Sequence, residues 1–480
     1  MSSISALIDI GGSSVKVTIR DGHSRLTKSF ETPLSPVKKG PNITLKPDSL
    51  FETVITTMNK CSEQFDSKLE IESVYISTLR QGFCLVDSNK ELTPIFLNSD
   101  TSGEQAKDDL IRYGTDKIYE ETGHWFAPQL TLPKLINLFR QQPELNKETV
   151  QLLFLHDWLV WKFTKERITE MTLVSAGQLA LLSEKKIHFQ LIEYFRFPQK
   201  LLPNPMKFGV KIGKFDSEVG QTLASNWKNA AINTGGGDSH FLHMGASANK
   251  FGTLVISAGS STPISLLSNV LGKSTSLKPW KSTSFDSDKY LLEGNLGYPG
   301  SFYGWLKNNV SVPLSSVKLD LGNIAKAPKV FGSCRVWSES GWEQRPPFSI
   351  LGDFSYSSSD DLALGLLLDY AFNLTSQIEE FVKDNFEVTN IVITGGGANE
   401  HIQKIVKSLT GIPVQLLSSK QTIENLFMLL NEEESERLNF GEDCTNLSLE
   451  LVNQLRELSI THANLYSEIE GDRKVLSNVR

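Results

Sequence analysis

"ALIDIGGSSVKVTIRDG", residues 6–22, breaks an apolar run on Asp9 and two glycines, then resumes it after two serines. Alternating β-type runs over 4–10, 15–20 and 25–30 predict a three-strand meander, with Gly11-Gly12 and Asp21-Gly22-His23 as its turns. A break of this kind is either an ordinary hairpin or a cradle for phosphate. Glycine lets the backbone approach an anion closely, and serine hydroxyls and N–H groups donate to its oxygens. The choice depends on what the rest of the chain supplies.

The chain has 480 residues, too many for one hydrophobic core, so two domains are expected. With 39% apolar and 21% charged residues, there is material for two packed cores and no disorder signature. The net charge of −7, from 48 basic and 55 acidic residues, argues against nucleic acid as a partner. It does not exclude a local phosphate site, because helix N-termini and backbone N–H groups can hold one. Cys61, Cys84, Cys334 and Cys444 have neither metal-ligand spacing nor the density of a disulfide framework, and are read as reduced thiols. No signal-peptide pattern and no run of about 18 apolar residues is present, so a soluble cytoplasmic protein is expected.

Helical spacing starts at Pro47-Asp48 and continues to residue 66, and strands follow at 74–79 and 82–87. Further helices are expected near 104–113, 131–140 and 150–163, before an extended Pro-rich connection at 197–209. The second half repeats the opening plan. "GTLVISAGSSTPISLL" (252–267) is strand, tight turn, strand, and 360–385 is a long amphipathic helix. "NIVITGGGANEHIQKIVKSLTGIPVQLL" (390–417) is strand, glycine turn, helix, strand. The last fifty or so residues read as charged and helical, without chemistry. A domain boundary is placed near residue 240.

"LGKST" (271–275) is not a P-loop, since Leu267 stands where the first glycine is needed. "GDSH" (237–240) is a poor hydrolase pair, because adjacent residues rarely face each other productively. Four glycine-and-hydroxyl turns remain, at 11–14, 235–237, 259–261 and 395–397, two of them beside a carboxylate, Asp9 or Asp238. Phosphoryl transfer needs a phosphate cradle, a carboxylate-held metal and a base or positioner for the attacking hydroxyl.

Seven segments in order resemble the FGGY family of carbohydrate kinases: "IDIGGSSVK", "FLHDWLVWKFT", "LLPNPMKFGVKIG", "NTGGGDSH", "ISAGSSTPI", "GYPGSFYGWL" and "ITGGGANEHI". The resemblance implies an α/β fold of two actin-like (ribonuclease H-like) domains, each a mixed β-sheet flanked by helices, with a catalytic cleft between them. Residues 1–240 would form the substrate side with the first phosphate hairpin, and 241–480 the ATP-binding side.

Carried over residue by residue, the resemblance makes Asp238 the catalytic base and a substrate contact. Asp9 would hold Mg²⁺ through water, with Asp238 as the second carboxylate at the metal. Gly11, Gly12, Ser13, Ser14, Gly259, Ser260 and Ser261 would bracket the phosphates, with Lys16 near them. Gly300, Gly396, Gly397 and Ala398 would border the adenosine. Arg80, Gln81, Asp100, Trp125 and Gln129 would contact the sugar. The pattern around Arg80-Gln81 and Asn98-Ser99-Asp100 resembles the autoinducer-2 kinase branch, whose substrate is a small linear polyol-ketone.

Three positions depart from the family. Gly12 stands where threonine is usual, "LNSDTS" lacks the tryptophan and arginine of the substrate loop, and "ENLFMLL" (424–430) replaces a small-residue helix. The implied activity is ATP-dependent phosphorylation of a sugar, ketose or polyol hydroxyl, with ATP and Mg²⁺ as cofactors. The expected partners are that small molecule and a second copy in a homodimer, with no nucleic acid and no membrane. The rival readings are a catalytically weak nucleotide or sugar sensor, which the departures motivate, and an actin-like chaperone, which the "DWL" helix opposes.

Overall fold

The computed structural model describes residues 3–477 except 67, 89, 248–249, 260, 273–277, 298–299, 301–303, 305–307, 309–316, 332–348, 352–357, 433–437 and 439. The chain separates into two compact units. The first comprises Met1–Gly245, Trp280–Leu291 and Glu424–Leu438, and the second Ala246–Pro279, Leu292–Ile423 and Asn439–Arg480. The first unit therefore claims two later segments that a single cut near residue 240 leaves out.

The first unit begins with the expected meander: β1 (Ile4–Ile10), β2 (Ser14–Asp21) and β3 (Leu26–Pro33), each antiparallel to the next. Helix α1 (Pro47–Ser62) follows, with Pro47 in its first turn, Asp48 near its positive end and Lys60 near its negative end. Leu50, Val54, Met58 and Cys61 recur at helical spacing and are buried against β2 and β3. The chain then enters β4 (Ser73–Thr78), which lies parallel to β1. Burying a valine or isoleucine such as Val17, Ile8 or Ile76 contributes about 1.5–3 kcal/mol each, and all three are fully buried.

A second layer holds β5 (Phe83–Asp87), helix α2 (Thr131–Gln141), β6 (Val150–Phe154), helix α3 (Leu155–Thr164) and the short helix α4 (Met171–Ala176). Residues 150–163 are thus not one helix. Val150–Phe154 pairs antiparallel with β5, and the helix starts only at Leu155. A short apolar run such as "VQLLF" suits either element, and the partner strand decides. Three short strands complete the first sheet: β7 (Lys211–Lys214), β8 (Ala231–Asn233) and β9 (Gly236–Gly237). Its order is β7-β8-β4-β1-β2-β3, with β9 also on β4. Helix α5 (Asp238–Ser247) leaves directly from β9.

The second unit carries β10 (Thr253–Ser257), β11 (Pro263–Ser268), helix α6 (Ser359–Lys383), β12 (Asn390–Thr394), helix α7 (Glu400–Thr410), β13 (Val414–Leu417), the start of helix α8 (Ser419–Leu430), which belongs to the first unit from Glu424 on, β14 (Glu442–Asp443) and helix α9 (Leu449–Ser477). Strand β10 is antiparallel to β11 and parallel to β12, which is parallel to β13. Ser358 and Asp361 close a capping box at the start of α6. The C-terminal helix is structural: Leu451 and Leu455 are buried, and His462 Nε2 donates to Asp369 Oδ1 at 3.0 Å on α6. "ENLFMLL" buries Leu426 and Phe427, so its bulk fills a core. Cys61 and Cys84 are buried free thiols and Cys444 a partly buried one, while Cys334 lies outside the described residues. No described helix is long and apolar enough to cross a membrane.

Candidate active site

Strand register builds the first part of the site. Asp9 on β1 stands opposite Lys16 on β2 and Ser77 on β4, Lys16 stands opposite Glu31 on β3, and Ser77 is paired with Gly236 on β9. These residues form one row across five strands. Ser77 Oγ donates to Asp9 Oδ1 at 2.7 Å. Burial, assisted by the nearby charge of Asp238, pushes the Asp9 carboxyl up to about 6, against the pull of Ser77 and Lys16. Lys16 therefore faces Asp9.

The hairpin after β1 is tied by Gly11 N–H donating to Ser14 O at 3.0 Å and Leu34 N–H donating to Ser13 O at 2.8 Å. Gly12 and Ser13 are exposed at its tip, and a Cβ on Gly12 would come no closer than 3.6 Å, to Asn98 Oδ1. The tip offers open donors, as a phosphate cradle requires.

Asp238 is the first residue of α5, not a free turn residue. Its Oδ1 accepts from Ser239 N–H at 2.8 Å and lies 3.7 Å from Arg80 Nε. Surrounding protein raises its carboxyl above the usual range, and the Arg80 guanidinium opposes the rise. The side chain is still 43% open to solvent, which keeps the carboxylate reachable and moderates the effect of burial. Gly237 must lack a side chain, because a Cβ there would fall 2.9 Å from Arg80 Cγ and 3.2 Å from His240 Nδ1.

A buried polar cluster supports the glycines before Asp238. Gly235 N–H donates to His156 Nε2 at 2.9 Å, and His156 Nδ1 meets Asp157 Oδ1 at 2.9 Å. Thr169 Oγ1 donates to Asp157 Oδ2 at 2.7 Å. Glu170 Oε2 accepts from Thr172 Oγ1, and from Thr172 N–H at 2.8 Å, while Thr172 Oγ1 in turn accepts from Gly237 N–H at 3.4 Å. Burial, with a smaller contribution from Asp157, pushes the Glu170 carboxyl up to about 8. His156, Asp157 and Glu170 were not assigned roles from sequence. "FLHDWL" contains the first two, but nothing local shows that His156 faces Gly235.

The expected sugar contacts divide. Gln81 is buried, with positive φ, and its Nε2 donates to Ala176 O at 3.4 Å. Trp125 packs on Trp280 with ring centroids 5.1 Å apart. Gln129 is 6% exposed, and neither end of its amide has a hydrogen-bond partner among the described residues. Asp100 is different. It is fully buried, its Oδ1 accepts from Ser102 N–H and Oγ, and its Oδ2 accepts from Ile43 N–H. Protein donors thus already reach both of its oxygens, and Asp100 braces its own loop. Buried Lys134 helps, donating to Gln81 O at 2.8 Å and Leu97 O at 2.9 Å.

Two further imidazoles were missed. His124 Nδ1–H donates to Thr122 O, and His240 Nε2–H to Thr283 O, because carbonyls only accept. Each ring is left with one buried bare nitrogen, and burial holds both well below the usual histidine range, at about 4 and about 3. Both are neutral acceptors. Ser239 Oγ and His240 make no bond to each other, as expected for a pair that is not a hydrolase dyad.

In the second unit, the loops after β10 and β12 meet. Ala258 N–H donates to Thr394 O at 2.7 Å, and Gly397 N–H donates to Ala258 O at 2.8 Å. Gly259 N–H turns back to Ser257 O and Ser261 O. Gly395 has φ +97°, and a Cβ there would sit 2.8 Å from Ala258 O, so the approach of the loops requires glycine. Nothing lies within 4 Å of a Cβ on Gly396, whereas Gly397 is crowded by Ala258 O, and Ala398 N–H caps onto Gly395 O. Gly300 is described only as a partly buried helical residue, and Ser260 lies outside the described residues.

Known proteins resemble this chain in sequence and in fold. The model of the FGGY family of carbohydrate kinases, N-terminal domain, matches residues 4–245. The "Putative sugar kinase YoaC" of Bacillus subtilis is 25% identical over 270 residues, 55% of this chain and 54% of that protein, so the match spans about half of its length. The "Probable glycerol kinase" of Caenorhabditis elegans is 24% identical over 395 residues, 77% of this chain and 78% of its own. The structure of Plasmodium falciparum glycerol kinase with ADP superposes with a TM-score of 0.82 at 18% identity, covering 97% of this chain and 98% of that one. That likeness is one of fold, and it agrees with the two mixed sheets described above. With half of its length matched by the family's own N-terminal domain, this chain belongs to the FGGY family of carbohydrate kinases.

Proposed function

We propose that the chain transfers the γ-phosphate of ATP to a hydroxyl of a small sugar, ketose or polyol, with Asp238 as general base. One observation carries the reading. Asp238 begins a helix straight after a glycine strand, beside Arg80, with a raised but solvent-reachable carboxyl. As the substrate oxygen bonds to the γ-phosphorus, Asp238 takes the hydroxyl proton, and the bond from phosphorus to the bridging oxygen breaks to leave ADP. Arg80 keeps Asp238 ionised before the step and orients its carboxylate. The hairpin donors at Gly12 and Ser13 would meet phosphate oxygens, and the open face at Gly396 would leave room for the adenosine.

Asp9 fits a magnesium site, because the charge of Asp238 opposes its ionisation and a hydrated cation would relieve both carboxylates. When bound, that ion would neutralise charge on the transferring phosphates. On the acceptor side, the unpartnered amide of Gln129 would suit a hydroxyl-bearing, uncharged substrate.

A coupled ADP-release assay over glycerol, xylulose and linear ketoses of the autoinducer-2 precursor type tests the reading. The wild type should release ADP with at least one acceptor. Asp238→Ala should bind ATP normally and lose turnover by about 10²–10⁴-fold. Near-wild-type turnover in that variant would overturn the assignment.

A further inference from the structure

We infer that His156 is a positioning residue for Asp238, an inference that rests on the reading of Asp238 as the base. Gly235 is pressed flat against β4: a Cβ on it would fall 1.8 Å from Ile76 O and 2.9 Å from Ile76 N. Its N–H donates to the side chain of His156, 79 residues earlier, at 2.9 Å. A nitrogen that accepts carries no proton, so Nε2 is bare and the ring proton sits on Nδ1. Asp157 fixes that tautomer. Its Oδ1 accepts the Nδ1 proton and its Oδ2 is held by Thr169, with His156 and Asp157 both fully buried.

From this anchor the chain runs through Gly236 and Gly237, in register with Ser77 and Thr78, and reaches Asp238. The Asp238 carboxylate has few direct constraints, namely Ser239 N–H and Arg80 at 3.7 Å. Its position therefore follows from where the backbone of the preceding glycines lies. Three glycines in sequence have no side chains of their own to fix that path. His156 supplies the missing fixed point, and Thr172 Oγ1 a weaker one at Gly237. The opposite tautomer, or loss of the acceptor, would leave a buried N–H unpaired three residues before the base.

The test compares His156→Asn with His156→Gln. The glutamine amide oxygen can reach the place of Nε2 and accept from Gly235. The asparagine amide reaches only the place of Nδ1 and can serve Asp157 but not Gly235. With the best acceptor of the ADP-release assay, His156→Asn should lower kcat about ten- to a hundredfold while the KM for ATP and acceptor stay close to wild type. His156→Gln should recover most of that loss. Hydrogen exchange of the peptide spanning 231–238 gives a readout without turnover, faster in His156→Asn and near wild type in His156→Gln. Asp157→Asn, which frees the other tautomer, should repeat the kcat loss and serves if His156→Asn does not fold.

Equal kcat and equal exchange in the asparagine and glutamine variants would overturn the inference, as would a loss confined to KM. Asp238→Asn assayed alongside separates the two claims. Activity in Asp238→Asn removes the base reading itself. An inactive Asp238→Asn beside a fully active His156→Asn removes only the role of His156.

Discussion

Ser77 donates its hydroxyl to Asp9 Oδ1 at 2.7 Å, and the two residues are direct partners across a parallel strand pair. Lys16 and Glu31 continue the row on the other side of Asp9. A carboxylate so placed is costly to ionise when no cation is bound, first because of burial and then because Asp238 lies nearby.

That cost makes Asp9→Asn a stability test. The Asp9 carboxyl sits at about 6 in the folded chain, against an ordinary 3.8, so the folded state keeps a proton that the unfolded state has lost. Its contribution is most favourable below 3.8 and is lost as pH rises to about 6. Asparagine can still accept from Ser77 and carries no charge. Asp9→Asn should therefore be more stable than wild type at pH 8 by about 1–2 kcal/mol, allowing for partial exposure, and the two should converge near pH 4. Phosphoryl transfer should be lost in the same variant. Calorimetric melting at both pH values checks this, and identical stability at pH 8 would contradict it.

Glu170→Gln should be silent in acid and stabilising in base. Burial lifts Glu170 from 4.5 to about 8, so its favourable contribution is full below 4.5 and gone above about 8. Glutamine keeps an acceptor for Thr172 N–H and mimics the neutral acid. Urea titration should find the two proteins alike at pH 4, and the variant ahead by about 2–4 kcal/mol at pH 9.

Gln129→Leu should separate stability from binding. Its buried amide has no partner among the described residues. Removing it should stabilise the ligand-free protein by about 1–2 kcal/mol. If Gln129 meets the sugar, the acceptor KM should rise about tenfold or more while the KM for ATP is unchanged. Steady-state kinetics with each substrate varied in turn decides.

Gly12→Thr adds the hydroxyl that the resemblance leads one to expect at the hairpin tip. The position is exposed and has room for a Cβ. Stability should change by less than about 0.5 kcal/mol. One added hydrogen bond to phosphate should lower the KM for ATP about two- to tenfold. A higher KM would show that the tip does not face phosphate.

The sequence made the local parts of this molecule legible. Asp9-Ile10-Gly11-Gly12 announces its turn because glycine and the β-rich flanks act within a few residues, and α1 announces its start with Pro47-Asp48. Long-range parts were not legible. "VQLLF" becomes a strand only because β5 lies beside it. Asp100 looks like a free carboxylate until Ser102 and the distant Ile43 N–H occupy it. The bond from Gly235 to His156 joins segments whose spacing carries no period, so only the folded chain shows it.

The two late segments that belong to the first unit set an order of events during synthesis. The strand Trp280–Thr283 receives Ser175, His240 and Gly123, and Leu430 O accepts from Tyr75 Oη. When residue 245 leaves the ribosome, Asp238, its glycine strand and His156 already exist as chain, yet the strand whose Thr283 carbonyl receives His240 is still untranslated. The first unit therefore finishes folding only after most of the second has emerged.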